Sequence, residues 1–96
     1  MITAIIMINT VQGQTSEVAQ ALIDAEGVTE TYSVAGQYDL VAVVRVRQHE
    51  ELADLIAGRV QKIPGVASTN TLIAFKAYSR RDLEAMWDIG NEKGGV

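Results

Sequence analysis

No cysteine occurs among the 96 residues, which removes disulfides, thiolate-ligated zinc, iron–sulfur clusters and thiol catalysis together. A single histidine, His49, excludes any site built from two imidazoles. It stands in the polar run Arg47-Gln48-His49-Glu50-Glu51, which reads as a solvated helix start, and no Gly-x-Ser-x-Gly elbow accompanies it. Basic charge is also scarce: eight Lys+Arg against twelve Asp+Glu leave a net charge of −4. A duplex-binding surface needs clustered basic charge to displace counterions, so direct nucleic-acid binding is not expected. The apolar stretch from Ile2 to Ile8 is far short of the ~20 residues of a membrane span. It also lacks the basic lead and small-residue cleavage site of a signal peptide, so a cytoplasmic location is expected. Neither Gly-x-Gly-x-x-Gly nor Gly-x4-Gly-Lys-Ser/Thr is present, and no cofactor is expected.

What is present fits one domain. Its most informative feature is an internal repeat. Gly27-Val28-Thr29-Glu30-Thr31 returns 38 positions later as Gly65-Val66-Ala67-Ser68-Thr69, and Ile2, Ala4, Ile6 and Ile8 map onto Leu40, Ala42, Val44 and Val46. Two copies are too few for a solenoid but suit a domain of two similar halves. Each half reads as strand, helix, strand: residues 2–9, 15–26 and 28–35, then 39–47, 49–62 and 66–78. Gly27 and Pro64-Gly65 are the stop signals of the two helices. Ser79-Arg80-Arg81-Asp82 resembles a capping box, and a short third helix is expected to about Ile89, with Leu83, Met86 and Trp87 on one packing side.

Two strand–helix–strand halves in this order predict an α+β fold, the ferredoxin-like βαββαβ arrangement, with both helices on one face of the sheet. The domain is expected over 1–78, with a C-terminal helix and frayed tail over 79–96. The first and third strands carry apolar residues on both faces, which places them at the centre. Helices cover only one face, so the other needs a partner. A dimeric αβ barrel, with the two sheets packed face to face, is the expected answer.

Two stretches carry candidate chemistry. In the turn Ala35-Gly36-Gln37-Tyr38-Asp39, Asp39 is the only charged residue between Glu30 and Arg45. The plain reading is a glycine turn with Asp39 bonded to nearby backbone. The functional reading has Asp39 accept a ligand ammonium while free N–H groups of the turn bind its carboxylate, the pairing a zwitterionic amino acid needs. In the last strand, Thr69, Asn70 and Thr71, with Ser68 before them, either suit an edge strand or complete hydrogen bonds to a small polar ligand.

Taken together, Val34-Ala35-Gly36-Gln37-Tyr38-Asp39-Leu40, the apolar stripe from Leu52 to Ile63, Ile63-Pro64-Gly65-Val66 and Thr69-x-Thr71 resemble the effector domain of the Lrp/AsnC regulators, also called the regulation-of-amino-acid-metabolism domain. The likeness runs from about Ile2 to Tyr78, and the helix-turn-helix domain usual in that family is not seen. It implies a ferredoxin-like homodimer whose dimers often assemble into tetramers or octamers, binding amino acids or related small metabolites in clefts between dimers. It further implies a ligand turn of Gly36, Gln37, Tyr38 and Asp39, with Asp39 facing the ligand amine. Ser33 aligns with an effector-sensitive position, Leu72, Ile73 and Ala74 with a stretch where effector response is altered, and Thr69 and Thr71 with the adjoining polar wall. Full-length Lrp/AsnC regulators are then candidate partners. The tail from Ser79 departs from the pattern, and Trp87 packed across an interface would limit ring assembly. Two other classes compete: a small cofactor-free enzyme of the dimeric αβ-barrel type, with Asp39, Tyr38 or His49 as reacting group, and a purely structural oligomerisation domain.

Overall fold

The computed structural model describes residues 1–80. Along the chain run β1 (Ile2–Thr10), α1 (Thr15–Asp24), β2 (Val28–Ser33), β3 (Leu40–Val46), α2 (His49–Gly58), a short 3-10 helix (Val60–Lys62) and β4 (Val66–Ile73). The sheet order is β2-β3-β1-β4, with β1 and β3 central as expected. All three ladders are antiparallel. The expected helix to Ile89, with Leu83, Met86 and Trp87, and the end of the capping box lie outside the described residues.

Alternation along the central strands decides what is buried. Ala4, Ile6 and Ile8 of β1 and Leu40, Ala42, Val44 and Val46 of β3 point to the helices and are buried. Val18 and Leu22 of α1 and Leu52 and Leu55 of α2 meet them from above, and every residue of this core among the described residues is apolar. The odd-numbered residues Ile5, Met7, Val41 and Val43 face away from the helices and are half-buried. Tyr32, paired with Val41, and Leu72, paired with Ile5, extend this second apolar face to both edges of the sheet.

The 38-residue repeat is structural as well as textual. Gly27 and Gly65 both hold φ +99°, a region that favours glycine. Just beyond each, the ladder slips by one: Val28 pairs with Val44 but Glu30 with Val43, and Val66 pairs with Thr10 but Ser68 with Asn9. The bulged residues, Thr29 and Ala67, are repeat equivalents.

Several boundaries differ from the sequence reading. α1 ends at Asp24 rather than 26, because Ala25 turns extended to bury its methyl, its N–H donating to the Leu22 carbonyl. α2 stops at Gly58: Arg59 leaves helical geometry at φ −129°, and a 3-10 turn carries Val60 and Ile63 into the core. β2 ends at Ser33, where Val34 N–H donates to the Asp39 carbonyl and closes the hairpin. β4 ends at Ile73 rather than 78: its ladder to β1 stops at the Ala4–Ile73 pair, and beyond it only the Ala74 N–H bond to the Thr3 carbonyl continues.

Candidate functional site

The hairpin between β2 and β3 forms the turn singled out above. Gly36, at φ +135°, provides the reversal, and Ala35, Gly36 and Gln37 are exposed. The N–H groups of these three residues have no partner among the described residues. Successive free N–H groups in a turn offer an anion a concave set of donors. Asp39 closes the turn: its own N–H donates to the Ile8 carbonyl, and its Oδ2 accepts the Thr10 N–H at 2.8 Å and the Thr10 hydroxyl at 3.3 Å. Thr10 Oγ1 in turn lies 2.8 Å from Thr15 Oγ1 at the start of α1. One carboxylate oxygen of Asp39 is thus committed to the fold, and Oδ1 has no hydrogen-bond partner among the described residues.

Tyr38 leaves the turn in another direction. Its hydroxyl accepts a hydrogen bond from Asn70 Nδ2 at 3.2 Å. Asn70 pairs with Met7 on the face away from the helices, so the phenol spans β1 and rests over the open sheet face. Leu72 shares that face. Thr69, Thr71 and Ile73 pair with Ile8, Ile6 and Ala4 and point to the helix side. There Gln61 Nε2 reaches Thr69 Oγ1 at 3.4 Å beside a small polar cleft of about 340 Å³. Ala74 follows the end of the strand. Gln61 was missed by sequence reasoning, because it reads as helix surface until the helix breaks at Arg59.

Ser33 stands apart. It begins a cross-strand row that continues through Leu40 and Ile8 to Thr69. Three strand spacings separate its two ends, about 14 Å. The expected site residues therefore form three groups on one chain: the turn with Thr10, the Tyr38–Asn70 contact with Leu72, and the Thr69–Thr71 wall with Gln61. No single small ligand on one chain touches Ser33 and Thr69 together.

Strand order, helices on one face and repeated halves define a ferredoxin-like α+β domain. Comparison with known proteins gives its kind. The family described as the Lrp/AsnC ligand binding domain matches residues 3–83. The transcriptional regulator FL11 of Pyrococcus abyssi is 36% identical over 75 residues, covering 78% of this chain and 49% of its own length. The crystal structure of TTHA0845 from Thermus thermophilus has a TM-score of 0.79 at 41% identity, covering 83% of this chain and 100% of that one. The feast or famine regulatory protein of M. tuberculosis complexed with L-methionine has a TM-score of 0.70 at 30% identity, covering 84% of this chain and 55% of that one. The chain belongs to the Lrp/AsnC ligand-binding family. It spans about half the length of the curated relatives it matches. Among the described residues, no helix is long and apolar enough to cross a membrane.

Proposed function

We propose that this domain is a non-enzymatic effector module that binds an amino acid or related small metabolite at a junction between copies of the chain, and so modulates transcriptional regulation of amino-acid metabolism. The observation that carries this reading is the turn. Three unpartnered N–H groups at Ala35, Gly36 and Gln37 adjoin an Asp39 carboxylate with one oxygen to spare. An α-carboxylate and an α-ammonium are the complementary pair. The separation of Ser33 from Thr69 supports a site completed by another chain. The apolar sheet face of Ile5, Met7, Val41 and Val43 supports a homodimer packed sheet to sheet, on which tetramers or octamers build. On this reading, full-length Lrp/AsnC regulators are the partners with which the module would co-assemble.

The testing experiment is a thermal-shift screen of each proteinogenic amino acid at millimolar concentration, with light scattering on every hit. A ligand at ~100 times its dissociation constant adds ~2.7 kcal/mol, several degrees for a domain of this size. A selective shift that changes the assembly state is expected, because an effector acts only through differential affinity for two states. A stable oligomer that responds to none of them would instead mark a structural oligomerisation domain.

A further inference from the structure

The bulge at Thr29 has a chemical result. Val28 pairs with Val44 on the helix side, and without the slip Glu30 would follow it there, opposite Ala42. The extra residue instead sets Glu30 opposite Val43, so a carboxylate stands on the open sheet face. Arg45 stands two residues further along β3 on the same face, paired with Thr3. Every other ladder residue of this face is uncharged, from Ile5 and Met7 to Asn70 and Leu72.

One anion and one cation thus share an otherwise neutral face. They are diagonal neighbours, about 7–8 Å apart along the backbone and within reach of each other's side chains. Among the described residues they nonetheless form no ion pair. The Glu30 carboxylate takes its hydrogen bond from the Tyr32 hydroxyl instead. The Arg45 guanidinium is left without a partner among the described residues.

Whatever covers this face takes both charges out of water, and a buried charge is costly unless an opposite one meets it. An apolar cover leaves both unpaired, and a cover of one sign repels one of them. A second copy of the chain brings one of each. In a two-fold contact every pairing is made twice, so one complementary match satisfies all four charges. We propose that Arg45 of each copy pairs with Glu30 of the partner subunit, an inference that rests on the sheet-to-sheet homodimer of the proposed function. Tyr32 is then a positioning residue that holds the Glu30 carboxylate for the partner. The pair also sets a rule for mixed assembly. A second chain, a full-length regulator included, shares this face when it carries an acid in the place of Glu30 and a base in the place of Arg45, and is refused when either charge is reversed.

The test is charge reversal in the full chain, read by light scattering and native mass spectrometry. Glu30→Arg and Arg45→Glu each set like charges against each other twice. Each should raise the dimer's dissociation constant about a hundredfold or more, with far-UV circular dichroism unchanged. The neutral variants Glu30→Gln and Arg45→Gln, which disturb the fold least, should each weaken the dimer about tenfold. An equimolar mixture of the two reversed proteins restores both pairs across the interface, so a mixed dimer should replace the monomers. Arg59→Glu, on the helix side, gives a chain of the same net charge as Arg45→Glu, and mixing it with Glu30→Arg protein should leave the latter monomeric. Reversals and neutral variants that keep the wild-type dimer overturn the ion pair. Rescue by both reversals in one chain but not by mixing also overturns it, since the pair then lies within a chain. Equal capture by Arg59→Glu protein overturns it in favour of net charge alone. In these three outcomes the homodimer stands, whereas a monomeric wild-type protein overturns the homodimer itself and this pair with it.

Discussion

The Asp39 carboxylate accepts the Thr10 N–H across 29 residues of sequence, so a side chain takes the place of the next rung in the β1–β3 ladder. The residue best placed to meet a ligand amine is also a brace for the fold. Loss of binding on removing it therefore has two origins, which have to be separated.

Asp39→Ala leaves the half-buried Thr10 N–H without its acceptor and should destabilise the domain by about 1–2 kcal/mol. Asp39→Asn keeps an oxygen at that position and should cost less than half as much, while losing the charge a ligand ammonium needs. Urea denaturation of both variants, set beside their thermal response to amino acids, separates the brace from the ligand contact.

Glycines at positive φ are not equivalent here. An alanine Cβ at Gly36 meets nothing within 4 Å, so Gly36→Ala should cost about 1 kcal/mol of backbone strain. At Gly65 the same atom would stand 2.6 Å from Gln14 Oε1 and 2.8 Å from Val18 Cγ2. Overpacking then adds to strain, for a total of about 3 kcal/mol. The order of the two in denaturant titration is the check.

Ile5 and Ile6 are neighbours with opposite duties. Ile6→Ala removes a fully buried side chain between sheet and helices and should cost about 2–5 kcal/mol of unfolding free energy. Ile5→Lys places a charge on the open face, so light scattering should show dissociation to a monomer whose far-UV circular dichroism is unchanged. A monomeric wild-type protein would contradict the sheet-to-sheet dimer.

Tyr32 donates a hydrogen bond to the Glu30 carboxylate on the same open face. That bond and the negative charge beside it raise the phenol above its ordinary 10.0. Ionisation forfeits the bond and sets two anions side by side. The contact therefore persists below the ordinary tyrosine range and is lost only as pH rises through the elevated value. Alkaline ultraviolet difference titration should place Tyr32 above the ordinary value, and Glu30→Gln should bring it back.

The sequence carried the architecture because its strongest signals were redundant. The repeat, the two glycines that follow the helices and the two-sided apolar strands all pointed to β1 and β3 at the centre of one sheet. The site was less legible. Val66–Ile73 has polar residues at both parities, so alternation alone does not say which side Thr69 and Leu72 take; only the pairing with β1 decides it. The Tyr38–Asn70 contact joins residues 32 apart across an intervening strand, and no local spacing encodes that. The break at Arg59 that frees Gln61 was hidden because Val60 and Ile63 continue the apolar stripe of α2 through a different backbone.

The order β2-β3-β1-β4 has a consequence for how the chain becomes a protein. β1 pairs with β3 and β4, and β2 pairs only with β3, so every ladder joins the first half to the second and none lies within either. The glycines repeat this exchange: Gly27 packs on Val46 and Leu55, and Gly65 on Gln14 and Val18. A chain cut at Gly36 would yield two peptides, each with its helix and two strands and neither with a strand partner of its own. Each is the template for the other, and order arises only when they meet.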